Sequence, residues 1–121
     1  MIKIKKKVKT LLPTLKEKKR YIAFEVVSKE KINNFNDISK EIMSKSLELI
    51  GNLGVAQAGI QILKEKWNPK LQRGLIRINN KHVDKLKSAF TFVEKIKNKE
   101  AIVKSVGVSG MLNKAEKKYL N

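Results

Sequence analysis

The sequence predicts an α/β sandwich of the α+β kind, and two observations predict it. Four runs rich in β-branched and aromatic residues occur at 20–28, 58–67, 73–79 and 101–109. Two stretches of helical periodicity stand after the first and third of these runs.

Arg20-Tyr21-Ile22-Ala23-Phe24-Glu25-Val26-Val27-Ser28 opens the order as a strand. The strand period of two places Ile22, Phe24 and Val26 on one face and Tyr21, Ala23, Glu25 and Val27 on the other. Asn33, Asn34, Asn36 and Asp37 then offer capping side chains to a long helix. Its expected stripe is Ile38, Ile42, Leu49 and Leu53, widened by Met43, Leu47 and Ile50; Gly51 and Gly54 can end or bend it. A strand from Ala58 to Trp67, turn chemistry at Asn68-Pro69-Lys70 and a strand from Arg73 to Asn79 read as a hairpin. Asn79 or Asn80 caps a second helix buried through Val83, Leu86, Phe90 and Val93, which Lys97-Asn98-Lys99 terminates. Ala101 to Ser109 forms a fourth strand, Gly110 breaks it, and Met111 to Leu120 is a short last helix. The order β-α-β-β-α-β with a C-terminal helix predicts a four-stranded antiparallel sheet with two helices on one face. That is the ferredoxin-like arrangement, shared with RNA-recognition-motif domains. Residues 20–121 form this single domain, and residues 1–19 stand apart as a basic arm, expected to be mobile.

The chain has 121 residues, enough for one core, and 28 Lys and Arg against 11 Asp and Glu give a formal charge of +17. Repulsion of that size in a compact domain is relieved by a polyanion, each phosphate contact also releasing condensed counterions. An anionic membrane surface offers similar neutralisation, so sign alone does not choose. Cysteine is absent, which excludes disulfides and thiolate metal sites. No apolar run is long enough to cross a bilayer, and the basic residues from Met1 to Leu12 are not followed by the apolar stretch of a signal peptide. A cytoplasmic protein without membrane attachment is expected.

Catalytic constellations are missing. His82 is the one histidine, and Asp84, two residues on, projects away from it on a helix. Gly107-Val108-Ser109-Gly110-Met111 has the outline of a nucleophile elbow but Met111 where glycine is needed, so it reads as a tight strand exit. The carboxylates are scattered, without glycosidase or two-metal spacing. No catalytic residue and no metal site is expected. Arg73-Gly74 matches the opening of the RNA-recognition octamer, but Leu75, Arg77 and Asn80 stand where its aromatic residues would stack bases. Lysines at 64, 66 and 70, at 81, 85 and 87, at 95, 97 and 99, and at 114, 117 and 118 suit phosphate and shape recognition of folded RNA better. Any single cluster could equally be a solvated face, and the arm could serve solubility alone. The sheet face opposite the helices carries Tyr21, Ala23 and Val27, with Leu75, Arg77 and Trp67 as further candidates. It needs a cover, either the last helix through Met111, Ala115 and Tyr119 or a partner protein.

Arg20-Tyr21-Ile22-Ala23-Phe24-Glu25-Val26, Gly54, Ala56, Gly59, Trp67, Gln72-Arg73-Gly74-Leu75-Ile76-Arg77-Ile78-Asn79 and Val106-Gly107-Val108-Ser109-Gly110, followed by Lys114 and Ala115, resemble the ribonuclease P protein component 2 family of archaea and eukaryotes. The likeness runs from residue 20 to about residue 116 and leaves out the arm. The resemblance implies the same sandwich fold and a subunit that supports the catalytic RNA of ribonuclease P. It implies pairing with ribonuclease P protein component 3, in a two-plus-two assembly, alongside other ribonuclease P proteins. The complex removes the 5′ leader of precursor tRNA by hydrolysis, with the RNA and its Mg²⁺ carrying the chemistry and no cofactor on the protein.

The expected RNA contacts are Lys5, Lys6, Lys7, Arg73, Arg77 and Lys81, and the expected partner-protein contacts are Tyr21, Leu75, Met111 and Tyr119. One alternative is a ribosomal or other structural RNA-binding protein. Another is a small acylphosphatase-like phosphohydrolase, although Ser28-Lys29-Glu30-Lys31-Ile32 has no glycine to build an anion cradle.

Overall fold

A computed structural model describes residues 18–121, so most of the basic arm, Lys5, Lys6 and Lys7 included, lies outside the described residues. The elements are strand β1 (Lys19–Ser28), helix α1 (Phe35–Ala58), β2 (Gln61–Asn68), β3 (Arg73–Asn79), a 3₁₀ turn (Asn80–His82), α2 (Val83–Phe90), β4 (Lys95–Ile96), β5 (Lys99–Ser109), α3 (Leu112–Ala115) and a π-helical turn (Glu116–Leu120). The strands lie in the order β2-β3-β1-β5-β4, each neighbouring pair antiparallel.

The sheet therefore has five strands, where four were expected. The addition is β4, two residues long, joined to β5 by Lys97 and Asn98 at φ 47° and 69°. Two successive positive φ values make the tight turn whose twist matches a hairpin. The expected helix terminator is thus a hairpin turn, and α2 ends earlier, at Phe90. Val93 still enters the core, from the connecting loop.

Ile22, Phe24 and Val26 face the helices as the alternation predicts, packing with Ile38, Ile42, Ile76, Ile78, Leu86 and Phe90. Trp67 belongs to this face and not to the opposite one. A register shift in β2 between Leu63 and Asn68 inverts the alternation, so Leu63 faces one way and Trp67 the other. The Trp67 ring stacks on Phe24 at 6.0 Å between centroids.

In α1 the Asn34 side chain accepts from Asn36 N at 3.0 Å and caps the start. The buried line is Ile38, Ile42 and Ser46, continued by the partly buried Ile50, so the expected Leu49 and Leu53 fall outside it, at 41% and 72% exposure. Ser46 hides the line from sequence because its hydroxyl satisfies itself on Ile42 O at 2.8 Å. Gly51, at φ 73° and ψ 176°, bends the helix. Gly59, at φ 62°, ends it in the left-handed conformation, so Ala58 closes a helix and does not open a strand.

The opposite sheet face is covered by the chain's own end. Ala23, Leu75, Ala115 and Leu120 are buried there, with Tyr21, Leu63, Val106, Leu112 and Tyr119 packed around them.

Candidate nucleic-acid interface

Beside that second apolar cluster lies a charged group that fastens the chain's end to the sheet. Register places Glu25 of β1 directly across from Arg73 of β3 and Lys104 of β5. Arg73 Nε donates to Glu25 Oε2 at 3.0 Å, and Lys104 Nζ lies 3.1 Å from Oε1. Burial pushes the Glu25 carboxyl up, but hydrogen bonds from Lys104 and Arg73, with their charges, leave it below its ordinary value. Arg73 Nη1 also donates to Tyr119 O at 3.1 Å, and Asn68 Nδ2 donates to Leu120 O at 2.9 Å. Lys66 Nζ reaches Glu116 Oε1 at 2.5 Å, and that hydrogen bond raises the Lys66 pKa. Side chains from β2 and β3 thus satisfy carbonyls that a terminal helical turn leaves open.

The expected contact residues consequently divide. Arg73 is occupied within the fold by Glu25 and Tyr119. Leu75, expected at a partner surface, is fully buried, and Tyr21 and Tyr119 are half-buried beside it under α3 and the π-helical turn. Met111 alone of that group stays open, at 55% exposure. Strand alternation identified the shared face of Tyr21 and Leu75, but it could not say which of the two candidate covers occupied it.

Arg77 and Lys81 lie at the other end of β3 from Arg73. Arg77 is half-buried on the covered face, in register with Tyr21 on one side and Gln61 on the other. Its Nε is closed off from solvent, without a hydrogen-bond partner among the described residues. Lys81 is exposed in the 3₁₀ turn, and Asn80 N donates to Lys18 O at 2.8 Å, which brings the exposed Lys18 beside it. Lys19, the neighbour of Lys18, donates to Asn79 Oδ1, and Arg20 Nη1 donates to Lys19 O at 3.0 Å. This end of the sheet gathers cations from β1, β3 and the 3₁₀ turn. At the opposite end two lysines face acids: Lys97 lies 4.0 Å from Asp37 and Lys99 3.7 Å from Glu30, while along α1 Lys45 lies 3.6 Å from both Glu41 and Glu48.

Ser109 sits in a tight exit turn, its hydroxyl donating to Met111 O at 3.1 Å and accepting from Met111 N at 3.2 Å. That geometry occupies both functions of the hydroxyl locally. Among the described residues no group of three or more His, Asp or Glu side chains is placed to hold a metal ion, and no helix is long and apolar enough to cross a membrane.

The sequence matches the Rpp14/Pop5 family over residues 20–120. The chain belongs to that family. It is 36% identical to ribonuclease P protein component 2 of Thermococcus gammatolerans over 117 residues, covering 97% of this chain and 95% of the relative. The counterpart in Pyrococcus furiosus is 38% identical over 113 residues, 93% of this chain and 92% of the relative. That in Methanosarcina mazei is 34% identical, with 93% of each chain covered. Among solved structures, a chain of the cryo-EM structure of yeast ribonuclease MRP shares the fold at a TM-score of 0.60 and 13% identity, over 79% of this chain and 76% of that one.

The structure gives a physical reading to several of the motif residues. Gln72, at φ 54°, holds the β1–α1 loop by accepting from Ile32 N at 2.9 Å and donating to Ile32 O at 3.1 Å. A Cβ at Gly74 would lie 2.7 Å from Phe24 Cζ and 3.1 Å from Trp67 Cε3. Sequence reasoning missed Glu25, Lys66, Lys104 and Glu116 as the groups that secure the chain's end. Their pairing depends on register, which leaves no local signal.

Proposed function

We propose that this chain, as an Rpp14/Pop5 family member a protein subunit of ribonuclease P, binds and supports the RNA of that cytoplasmic ribonucleoprotein during removal of the 5′ leader from precursor tRNA. The single observation that carries the RNA-binding part is the charge of +17 on a chain of 121 residues. A polyphosphate backbone relieves that repulsion and gains entropy from released counterions. The likeness of nearly the whole chain to ribonuclease P protein component 2 of three archaea supports reading that polyanion as the RNA of ribonuclease P. On this reading the bond breaking and the Mg²⁺ belong to the RNA, and the protein lowers the repulsion that opposes its active fold. Ribonuclease P protein component 3 is the proposed protein partner, in a two-plus-two assembly. The four long strands in the order β2-β3-β1-β5, with α1 and α2 as crossovers, support the ferredoxin-like reading of the fold.

Isolation of the tagged protein from its own cells, followed by sequencing of the RNA that accompanies it, tests this. Enrichment of ribonuclease P RNA is expected. Enrichment of ribosomal RNA alone would move the assignment to a ribosomal RNA-binding protein.

A further inference from the structure

Two arginines on one strand and one face differ in what they meet. Arg73 has its Nε on Glu25 and its Nη1 on Tyr119 O, so its charge and two of its three nitrogens are engaged inside the fold. Arg77, four residues on, has no carboxylate among its strand partners, which are Tyr21 and Gln61, and its Nε has no hydrogen-bond partner among the described residues. A half-buried guanidinium without a counter-charge is costly in the free protein and gains most from an anion.

The end of the sheet toward which Arg77 stands repeats this condition. Lys18 and Lys81, brought together by the hydrogen bond from Asn80 N to Lys18 O, are both exposed, and neither forms an ion pair among the described residues. Asp84, heading α2, is the nearest carboxylate along the chain from Lys81. At the opposite end Lys97 and Lys99, by contrast, face Asp37 and Glu30.

We propose that RNA phosphates are held at the end of the sheet where β1 begins, by Arg77, Lys18 and Lys81, and that Arg73 takes no part in binding. The inference rests on the reading of the chain as an RNA-binding subunit and adds the location. The partner chemistry is a closely spaced row of phosphates on a folded RNA. The guanidinium supplies donors from the sheet face through nitrogens other than its enclosed Nε, and the two ammonium groups supply point charges from the rim. Phosphate contacts of this kind fix register and orientation without reading bases.

The full chain, basic arm intact, is titrated against a ribonuclease P RNA transcript from the same organism at several salt concentrations. Compared with it are Arg77→Gln, Lys18→Gln with Lys81→Gln, and, as the control from the opposite end, Lys97→Gln with Lys99→Gln. Each phosphate contact removed should flatten the plot of log affinity against log salt by about 0.7–0.9. The Arg77 variant should lose about one such step and the Lys18/Lys81 variant about two, with the control unchanged. Lys18 and Lys81 are exposed, so their pair reports even if Arg77→Gln disturbs packing. Arg73→Gln in a chain confirmed as folded by circular dichroism should leave the slope unaltered. A control that loses as much slope as the Lys18/Lys81 pair overturns the location while leaving RNA binding in place. Failure of the unaltered protein to bind at low salt overturns the functional reading itself.

Discussion

The phenol ring of Tyr119 fills the space that a side chain on Gly107 would need. An added Cβ there would collide with the ring and its hydroxyl, so strand β5 must be bare at this point for the chain's end to lie down. The contact joins the last turn to the middle of the sheet, beside the Arg73 and Asn68 hydrogen bonds to Tyr119 O and Leu120 O. Gly107→Ala should therefore destabilise by about 1–3 kcal/mol, the usual range for overpacking. Urea unfolding measures it. In a Tyr119→Ala background the same change should cost much less, and equal costs in both backgrounds would separate the two residues.

Gly74 makes a similar demand on the helix side. Phe24 Cζ and Trp67 Cε3 lie 2.7 and 3.1 Å from its would-be Cβ, in the stack that closes the main core. Gly74→Ala should shift the Trp67 rings apart from Phe24. The emission of Trp67, the one tryptophan in the chain, should move to longer wavelength as water reaches the ring.

These two glycines show how far the sequence could be read. Alternation separated Ile22, Phe24 and Val26 from Tyr21 and Ala23 correctly, because β1 is long and central. It failed at Trp67, where a bulge resets the period, and at β4, where two residues are too few to alternate. Helical spacing found Ile38 and Ile42 but misplaced Leu49 and Leu53, since a serine occupies the buried position at 46. For the interface, composition announced a polyanion partner but could not rank Arg73 against Arg77. Only the cross-strand register shows that Arg73 meets the Glu25 carboxylate, whereas the strand partners of Arg77 are Tyr21 and Gln61.

Gln72 holds a loop through backbone groups alone. Its side chain answers both the N–H and the carbonyl of Ile32, and its Nε2 also donates to Pro69 O at 2.8 Å. Gln72→Ala leaves buried Ile32 polar groups without partners, at a cost of about 1–3 kcal/mol. Hydrogen exchange should show the Ile32 amide opening faster than the strand amides of β1, which serve as the internal reference.

Acid should loosen the chain's end through Glu25. Its folded pKa is lowered from its ordinary value, so its stabilisation is present above that ordinary value and disappears as pH falls through the folded one. Glu25→Gln should be less stable than the unaltered protein near neutral pH, with the gap closing on the acid side. Melting temperatures measured from neutral pH to about pH 3 check the sign. A gap that widened on acidification would contradict it.

The most direct test of the central claim is reconstitution of precursor-tRNA cleavage from the cognate ribonuclease P RNA and its protein subunits, with and without this chain, as Mg²⁺ is lowered. If the protein relieves phosphate repulsion in a catalytic RNA, its addition should carry 5′-leader removal to Mg²⁺ concentrations at which the remaining components are inactive. Cleavage with the same rate and the same Mg²⁺ requirement in its presence and absence would contradict that role.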